Sequence, residues 1–371
     1  MTGLRIALPL SVAILCAVAA VVVMPHTYEA QSLLAAQDDP VLLADHAVDR
    51  SFDAAVAEHE MRSALAANDP DLAQSFRDLA RDRNVPVDSA LAAEIDAANS
   101  ARASAARAAA SFGRGLITGE PDDLGSFAGT ALGDLFVFGD IRDALREGSR
   151  LATGETADEL ILGLASIGIA VTAGTYATLG AGTPARVGMS LAKAARKTGR
   201  MTARMTEWFG RSLREIVDWT ALRRAIGGAT LSEPALAVRA AREAVKIEKT
   251  RNLTRLLGDV GRVQSKAGTR AALDGLRIAE GPRDVARIAR LAESKGTRTR
   301  AILKMFGRGA IWLTASAFNL FSWLLGAVLA LFGFCSACKS AAERATERYL
   351  QYRKARGSNA DGSFAVVAVH A

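Results

Sequence analysis

LILGLASIGIAVTAGTYATLGAGT, residues 160–183, is a stretch of 24 positions without a charge. At 24 residues it is long enough to cross a bilayer, so the reading of this run decides the fold. Thr156 and Glu159 precede it at the spacing of a capping box, which predicts a helix start. Two further runs flank it: residues 6–24, 19 uncharged positions closed by Pro25, and residues 309–338, 30 uncharged positions between Arg308 and Lys339. About 20 apolar residues cross the hydrocarbon layer. Three such runs predict an all-α, multi-helix integral membrane protein with an N-terminal anchor helix and helical extramembrane domains.

The rest of the chain carries the charge. A mean hydropathy of +0.14 beside 23% charged residues requires the two kinds of residue to be segregated along the 371 positions. Residues 25–159 hold 11 Lys or Arg against 25 Asp or Glu, whereas residues 184–308 hold 28 against 11. The positive-inside rule puts the acidic stretch outside and the basic one in the cytoplasm. The predicted order is a membrane anchor or signal-anchor at 1–25, an acidic helical exported domain at 26–124 and an interfacial amphipathic segment at 125–159. A transmembrane helix at 160–183 leads to a basic helical cytoplasmic domain at 184–308, a transmembrane helix or re-entrant hairpin at 309–338, and a tail at 339–371.

The first run exceeds the apolar core of about 7–15 residues usual in a signal peptide, which favours an uncleaved anchor. The third would measure about 45 Å as one helix. Arg298, Arg300, Lys304 and Arg308 precede it, and Lys339, Arg344, Arg348, Arg353, Lys354 and Arg356 follow it. A hairpin turning near Asn319 keeps both basic flanks inside, and is preferred to a span.

Within the acidic region, Asp-Pro-Asp at 69–71 and Val85-Pro86 bracket one helix, and a second runs from about Asp88 through the alanines at 101–110, an antiparallel pair. Asp134, Asp140, Arg142 and Asp143 are a candidate polar interface site for an ion or partner; the alternative is helix caps and surface salt bridges. In the basic region Met201, Met205, Phe209, Leu213, Ile216 and Leu222 recur at helical steps, with Arg204, Trp208, Arg211, Arg214 and Trp219 alongside. Such a helix either lies against anionic lipid of the inner leaflet or belongs to a domain core. Further helices are expected at 233–257, 260–279 and 282–294. Small residues at four-residue spacing, Ser166, Ala170, Gly174 and Thr178 in the second run and Ser322, Gly326 and Ala330 in the third, predict that these runs pack on one another or on copies of themselves.

Site chemistry is sparse. Cys335 and Cys338 form a C-x-x-C, a candidate redox pair or half a metal site, but no second pair completes a zinc site. His59-Glu60 opens a metalloprotease-like motif that fails at Ser63. Gly180, Gly182 and Ala185 imitate a dinucleotide fingerprint, yet follow an apolar run and not a strand. There is no phosphate-binding loop or nucleophile elbow, so no catalytic, cofactor-binding or metal residue is assigned and no cofactor is expected. The bases are already explained by sidedness, and no recognition motif accompanies them, which argues against nucleic acid. The bilayer, anionic inner-leaflet lipid, and further copies or other membrane proteins are the expected partners.

The block GDLFVFGDIRDALREGSRLATGETADELILGLASIGIAVTAGTYATLGAGTPARVGMSLAKAARKTGR and the later RAALDGLRIAEGPRDVARIARLAESKGTRTRAILKMFGRGA resemble a family of uncharacterised inner-membrane proteins of Gram-negative bacteria. The resemblance covers about half the chain and implies a multi-pass inner-membrane location without an activity. GDIRDALREGSRLATGE is also similar to helical regions that precede the toxic domain of bacterial polymorphic toxins, although no toxin domain follows. The expected function is a non-enzymatic scaffold or envelope-interaction protein. The alternatives are a membrane thiol oxidoreductase using Cys335 and Cys338, or a toxin-related membrane-perturbing protein.

Overall fold

The computed structural model describes residues 18, 37–100, 132–175, 183–226, 234–312 and 316–367. Every regular element among them is helical, and the only strand-like feature is an isolated antiparallel bridge between Val217 and Val245. The chain divides into two units, one of Met1–Gln37 with Leu313–Ala371 and one of Asp38–Trp312. Among the described residues no helix is long and apolar enough to cross a membrane.

The second unit holds α1 (Pro40–Ser51), α2 (Ala54–Ala66), α3 (Pro70–Asp82), α4 (Ser89–Asn99), α5 (Leu132–Thr153), α6 (Glu159–Thr175) and α7 (Thr183–Lys197). It continues with α8 (Ala203–Ile216), α9 (Trp219–Ile226), α10 (Pro234–Ala244), α11 (Arg251–Ala267), α12 (Thr269–Ile278), α13 (Pro282–Lys295) and α14 (Thr299–Phe306). Aspartates start many of these helices, because a short carboxylate satisfies amides that the first turn leaves open. Asp39, Asp53, Asp69 and Asp88 accept from the amides of Val41, Val56, Leu72 and Ala90. At α6 the cap is Asp158, which accepts from Leu160 and Ile161, and not the expected Thr156–Glu159 box.

α11 is the axial helix, packed against α7, α12 and α13. Its crossing with α7 is backbone on backbone: a Cβ at Gly188 would overlap the Leu257 carbonyl, and one at Gly261 the Pro184 carbonyl. α6 packs between α5, α7, α8 and α10. Leu162, Leu164, Ala165 and Ile167 are wholly buried there, on successive faces of the helix. The 160–183 run is therefore a core helix over its described part and not a span, since neighbouring helices supply the apolar surroundings that lipid was expected to supply.

The acidic and basic regions share this unit. Arg300 donates to both carboxylate oxygens of Asp69, at 2.7 and 2.6 Å, and through Nε to Asp274 at 2.8 Å. Lys295 reaches Asp45 at 2.5 Å, Arg298 pairs with Asp82, and the Ser75 hydroxyl both donates to the Thr297 carbonyl and accepts from the Ala301 amide. Carboxylates of 26–124 and bases of 184–308 in contact cannot lie on opposite sides of a bilayer. The division into exported acidic and cytoplasmic basic domains is corrected accordingly: the opposite charges are partners within one fold.

In the first unit, α15 (Ser316–Val367) is one uninterrupted helix of 52 residues. Asn319 lies in its first turn, so the chain does not reverse there and the hairpin expectation is replaced by a continuous helix.

Candidate functional site

Asp140, Asp143 and Glu147 fall at three- and four-residue steps on α5 and so share one face. All three are buried, as is Lys193 on α7. Lys193 Nζ donates to Asp140 Oδ1 at 2.5 Å and to Asp143 Oδ2 at 3.0 Å, and Lys197, one turn on, reaches Asp143 Oδ1 at 3.0 Å. Glu147 Oε2 accepts the Asp158 amide at 3.0 Å, while the Asp158 carboxylate takes Arg196 at 2.8 Å. On α6, Gly168 supplies the space: a side chain there would overlap Asp140 Oδ2 and the sulfur of Met189.

Burial pushes the Asp140 carboxyl up to about 6, against the pull of Lys193. Burial also works on Asp143, but there Lys193 and Lys197 outweigh it and hold the carboxyl below its usual range. Lys193 is desolvated too, yet its two carboxylates outweigh that and raise it. A buried charge is tolerated only when paired and hydrogen-bonded, and here both carboxylates and both ammonium groups have opposite partners. The network closes on itself and fixes the register of α5 against α7.

The expected polar site thus takes a different form. Asp140 and Asp143 lie in the interior and not at an interface. Arg142, 3.7 Å from Asp143, is mostly exposed, and Asp134 lies near the start of α5. Lys193, Lys197, Glu147 and Gly168 were not singled out from the sequence. The signal available was the i, i+4 lysine pair on α7 matching the acidic face of α5, but a separation of 53 residues between Asp140 and Lys193 hides the match.

The helix expected at the lipid surface is α8, and its apolar face is spent on the core. Met205, Phe209, Leu213 and Ile216 are buried, and Trp208 and Trp219 pack partly buried against them. Arg204 pairs with Glu280 at 2.8 Å, and Arg211 and Arg214 are exposed. With no apolar face left over, α8 has nothing to insert into lipid. Trp208, Arg211, Glu215, Lys249 and Asn252 line a groove of about 220 Å³, smaller and more polar than the roughly 300–1,000 Å³ of small-molecule sites.

The stripe of the second run ends inside the core: Ser166 and Ala170 are buried, Gly174 is on the last turn of α6, and Thr178 lies outside the described residues. Ser322, Gly326 and Ala330 belong to α15, in the other unit. Cys335 and Cys338 are free thiols exposed on α15. Among the described residues no group of three or more His, Cys, Asp or Glu could hold a metal ion.

The most unusual surface is α15 itself. Leu325, Val328, Leu329, Leu331, Phe332 and Phe334 are exposed, Phe332 by 74%. At 100° per residue these six positions spread around the helix. Six bases follow, from Lys339 to Arg356. No protein-family model matches this chain, and no curated protein or solved structure matches it.

Proposed function

We propose that the chain is a membrane-anchored helical scaffold or envelope-interaction protein of a bacterial inner membrane, in which residues 38–312 form a single extramembrane domain and the apolar part of α15 is a span. The exposed apolar girdle of α15 carries the reading. Burying a large apolar side chain is worth about 1.5–3 kcal/mol, so leaving six in water forfeits on the order of 10 kcal/mol, which lipid would return. Within α15 the uncharged run of the sequence extends over 23 residues from Ser316 to Cys338, about 35 Å as a helix at 1.5 Å per residue against a hydrocarbon layer of about 30 Å. The side chains of residues 316–324 and 327 within it lie outside the described ones.

The charges give the orientation. Before the run, Arg298, Arg300 and Arg308 are taken up by Asp82, by Asp69 and Asp274, and by Glu280 and Asp284 inside the domain. Six bases, from Lys339 to Arg356, follow the run closely, and the positive-inside rule assigns them to the cytoplasm. Residues 38–312 then belong on the exported face. Alkaline carbonate extraction of cells expressing the full chain tests the reading: retention in the membrane pellet and release by detergent are expected, and recovery in the soluble fraction would overturn it.

A further inference from the structure

The bases of residues 38–312 are not all spent inside the domain. Arg270, Lys295, Arg298 and Arg300, on or beside α12–α14, pair with carboxylates of residues 45–82. Where α8 meets the start of α11 the balance differs. Among the described residues Arg214, Lys249 and Arg251 enter no ion pair, and Arg211 has only Glu207, 3.9 Å away with its side chain 68% exposed. An ion pair so exposed is weak, so an incoming carboxylate displaces it at little cost.

The groove of about 220 Å³ lies at this place. Trp208, Arg211 and Glu215 line it from α8, and Lys249 and Asn252 from the segment that opens α11. Among the described residues Glu215, Lys249 and Asn252 make no side-chain hydrogen bond or ion pair, so their polar atoms are available to an occupant. The two walls are fixed to one another. The Lys246 amide donates to the Ile216 carbonyl and the Asp218 amide to the Ala244 carbonyl, both at 2.8 Å, and the Thr250 hydroxyl donates to the Ile247 carbonyl at 2.7 Å. A site held in shape by the fold loses little freedom when it is filled.

The lining selects the occupant. Arg211 and Lys249 supply cationic donors and Asn252 a neutral one, a set that suits a carboxylate, while Trp208 adds an apolar wall. Among the described residues Glu215 is the one acid of the lining. It repels a doubly charged phosphate or a row of phosphates, but it can accept the backbone amide beside a carboxylate side chain. The size admits one side chain with its backbone and not a molecule of drug size. Ile247, in the same turn as Lys249, is 54% exposed and offers an apolar contact next to the bases.

We propose that this groove is the docking site for an acidic segment of another protein, with one Asp or Glu side chain seated between Arg211 and Lys249 against Trp208, and an apolar neighbour on Ile247. The assignment goes beyond the membrane reading and does not rest on it, since it concerns the 38–312 unit alone.

The test titrates the full chain, purified in a non-ionic detergent, into a fluorescein-labelled peptide of alternating glutamate and leucine and follows the anisotropy. The matching glutamine–leucine peptide and an oligothymidylate serve as rival probes. Saturable binding is expected for the glutamate peptide alone. Arg211→Glu with Lys249→Glu should weaken it about tenfold, and Lys266→Glu, an exposed base in the last turn of α11, should leave it unchanged. The unlabelled glutamate peptide should shift the tryptophan emission of the unsubstituted chain but not that of Trp208→Phe. The first half of that readout needs no variant to fold. Absence of saturable binding, equal binding of the glutamine peptide, tighter binding of the oligothymidylate, equal weakening by Lys266→Glu, or an unchanged emission of the unsubstituted chain would each overturn the proposal.

Discussion

Replacing Arg300 by methionine and Asp69 by asparagine, singly and together, probes the contact that joins the two oppositely charged regions. Arg300 is 9% exposed at its side chain and Asp69 22%. The pair is bidentate, with both guanidinium Nη groups on Asp69 and Nε on Asp274. Asp69 also takes Arg270 at 2.8 Å and caps α3 through Leu72. Removing one member of a buried ion pair costs about 3–5 kcal/mol because the other is left uncompensated. Here each survivor keeps one partner, Arg270 for Asp69 and Asp274 for Arg300, and Asp69 is partly solvated. Each single variant is therefore expected to lose about 3 kcal/mol, the low end of that range. A domain of this size loses about 2–4 °C per kcal/mol, so the midpoint should fall by roughly 6–12 °C. The double variant leaves no orphaned charge between them and should be more stable than the two losses added, by a coupling of about 1–3 kcal/mol. Thermal unfolding of the detergent-solubilised full chain, followed by circular dichroism, reads all four species. If both single variants stay within about 0.5 kcal/mol of the parent, as ordinary surface changes do, the regions do not share a core and the reasoning fails.

Stability should vary with pH in two windows of opposite sign. Asp140, raised to about 6, binds a proton in the fold before it does so in the unfolded chain. Stability therefore falls as pH rises from about 4 to 6, by on the order of 3 kcal/mol. Asp69 and Asp143, held low, contribute stability that is present above the ordinary carboxylate range and is lost as pH falls below it. Asp140→Asn should flatten the upper window and leave the lower one, which denaturant titrations across pH 3–7 would show. Gly188→Val and Gly261→Val should each cost about 3 kcal/mol or abolish folding, the upper end of overpacking effects, because a backbone carbonyl cannot move aside; parental midpoints would refute the close crossing of α7 and α11. Val328→Asp with Leu329→Asp puts two carboxylates into the girdle at about 2.5–3.5 kcal/mol each on insertion scales, and should shift protein from the carbonate-resistant pellet to the supernatant. An unchanged distribution would argue against a span at α15.

Much of the local structure was legible. Asp69-Pro70 and Asp88 set the starts of α3 and α4, and the periodic Met205, Phe209, Leu213 and Ile216 marked α8 and its buried face. The turn at Gly268, where φ is +92°, was not read as a helix break, and α11 and α12 divide there. The environment of 160–183 was not legible, for a physical reason. An apolar helix satisfied on all sides has the same composition whether lipid or neighbouring helices satisfy it. The charge asymmetry misled in the same way: segments of opposite net charge can be separated by a membrane or attracted into one fold, and a count of charges is identical in both cases. The deciding facts are pairings such as Asp69 with Arg300, 231 positions apart, which no local pattern announces. For the interior network, the acidic face of α5 was visible but its lysine partners on α7 were not.

The central claim is that residues 38–312 form one body, which the proposed membrane location puts wholly on one side. Ser63 on α2 and Ser265 on α11 are exposed, one in the acidic and one in the basic region. Each is replaced by cysteine in the cysteine-free full chain, and a membrane-impermeant maleimide is applied to intact spheroplasts and to lysed ones. Ser63→Cys and Ser265→Cys should label alike, both before lysis if the orientation proposed above holds. Labelling of one in intact spheroplasts and of the other only after lysis would contradict the account.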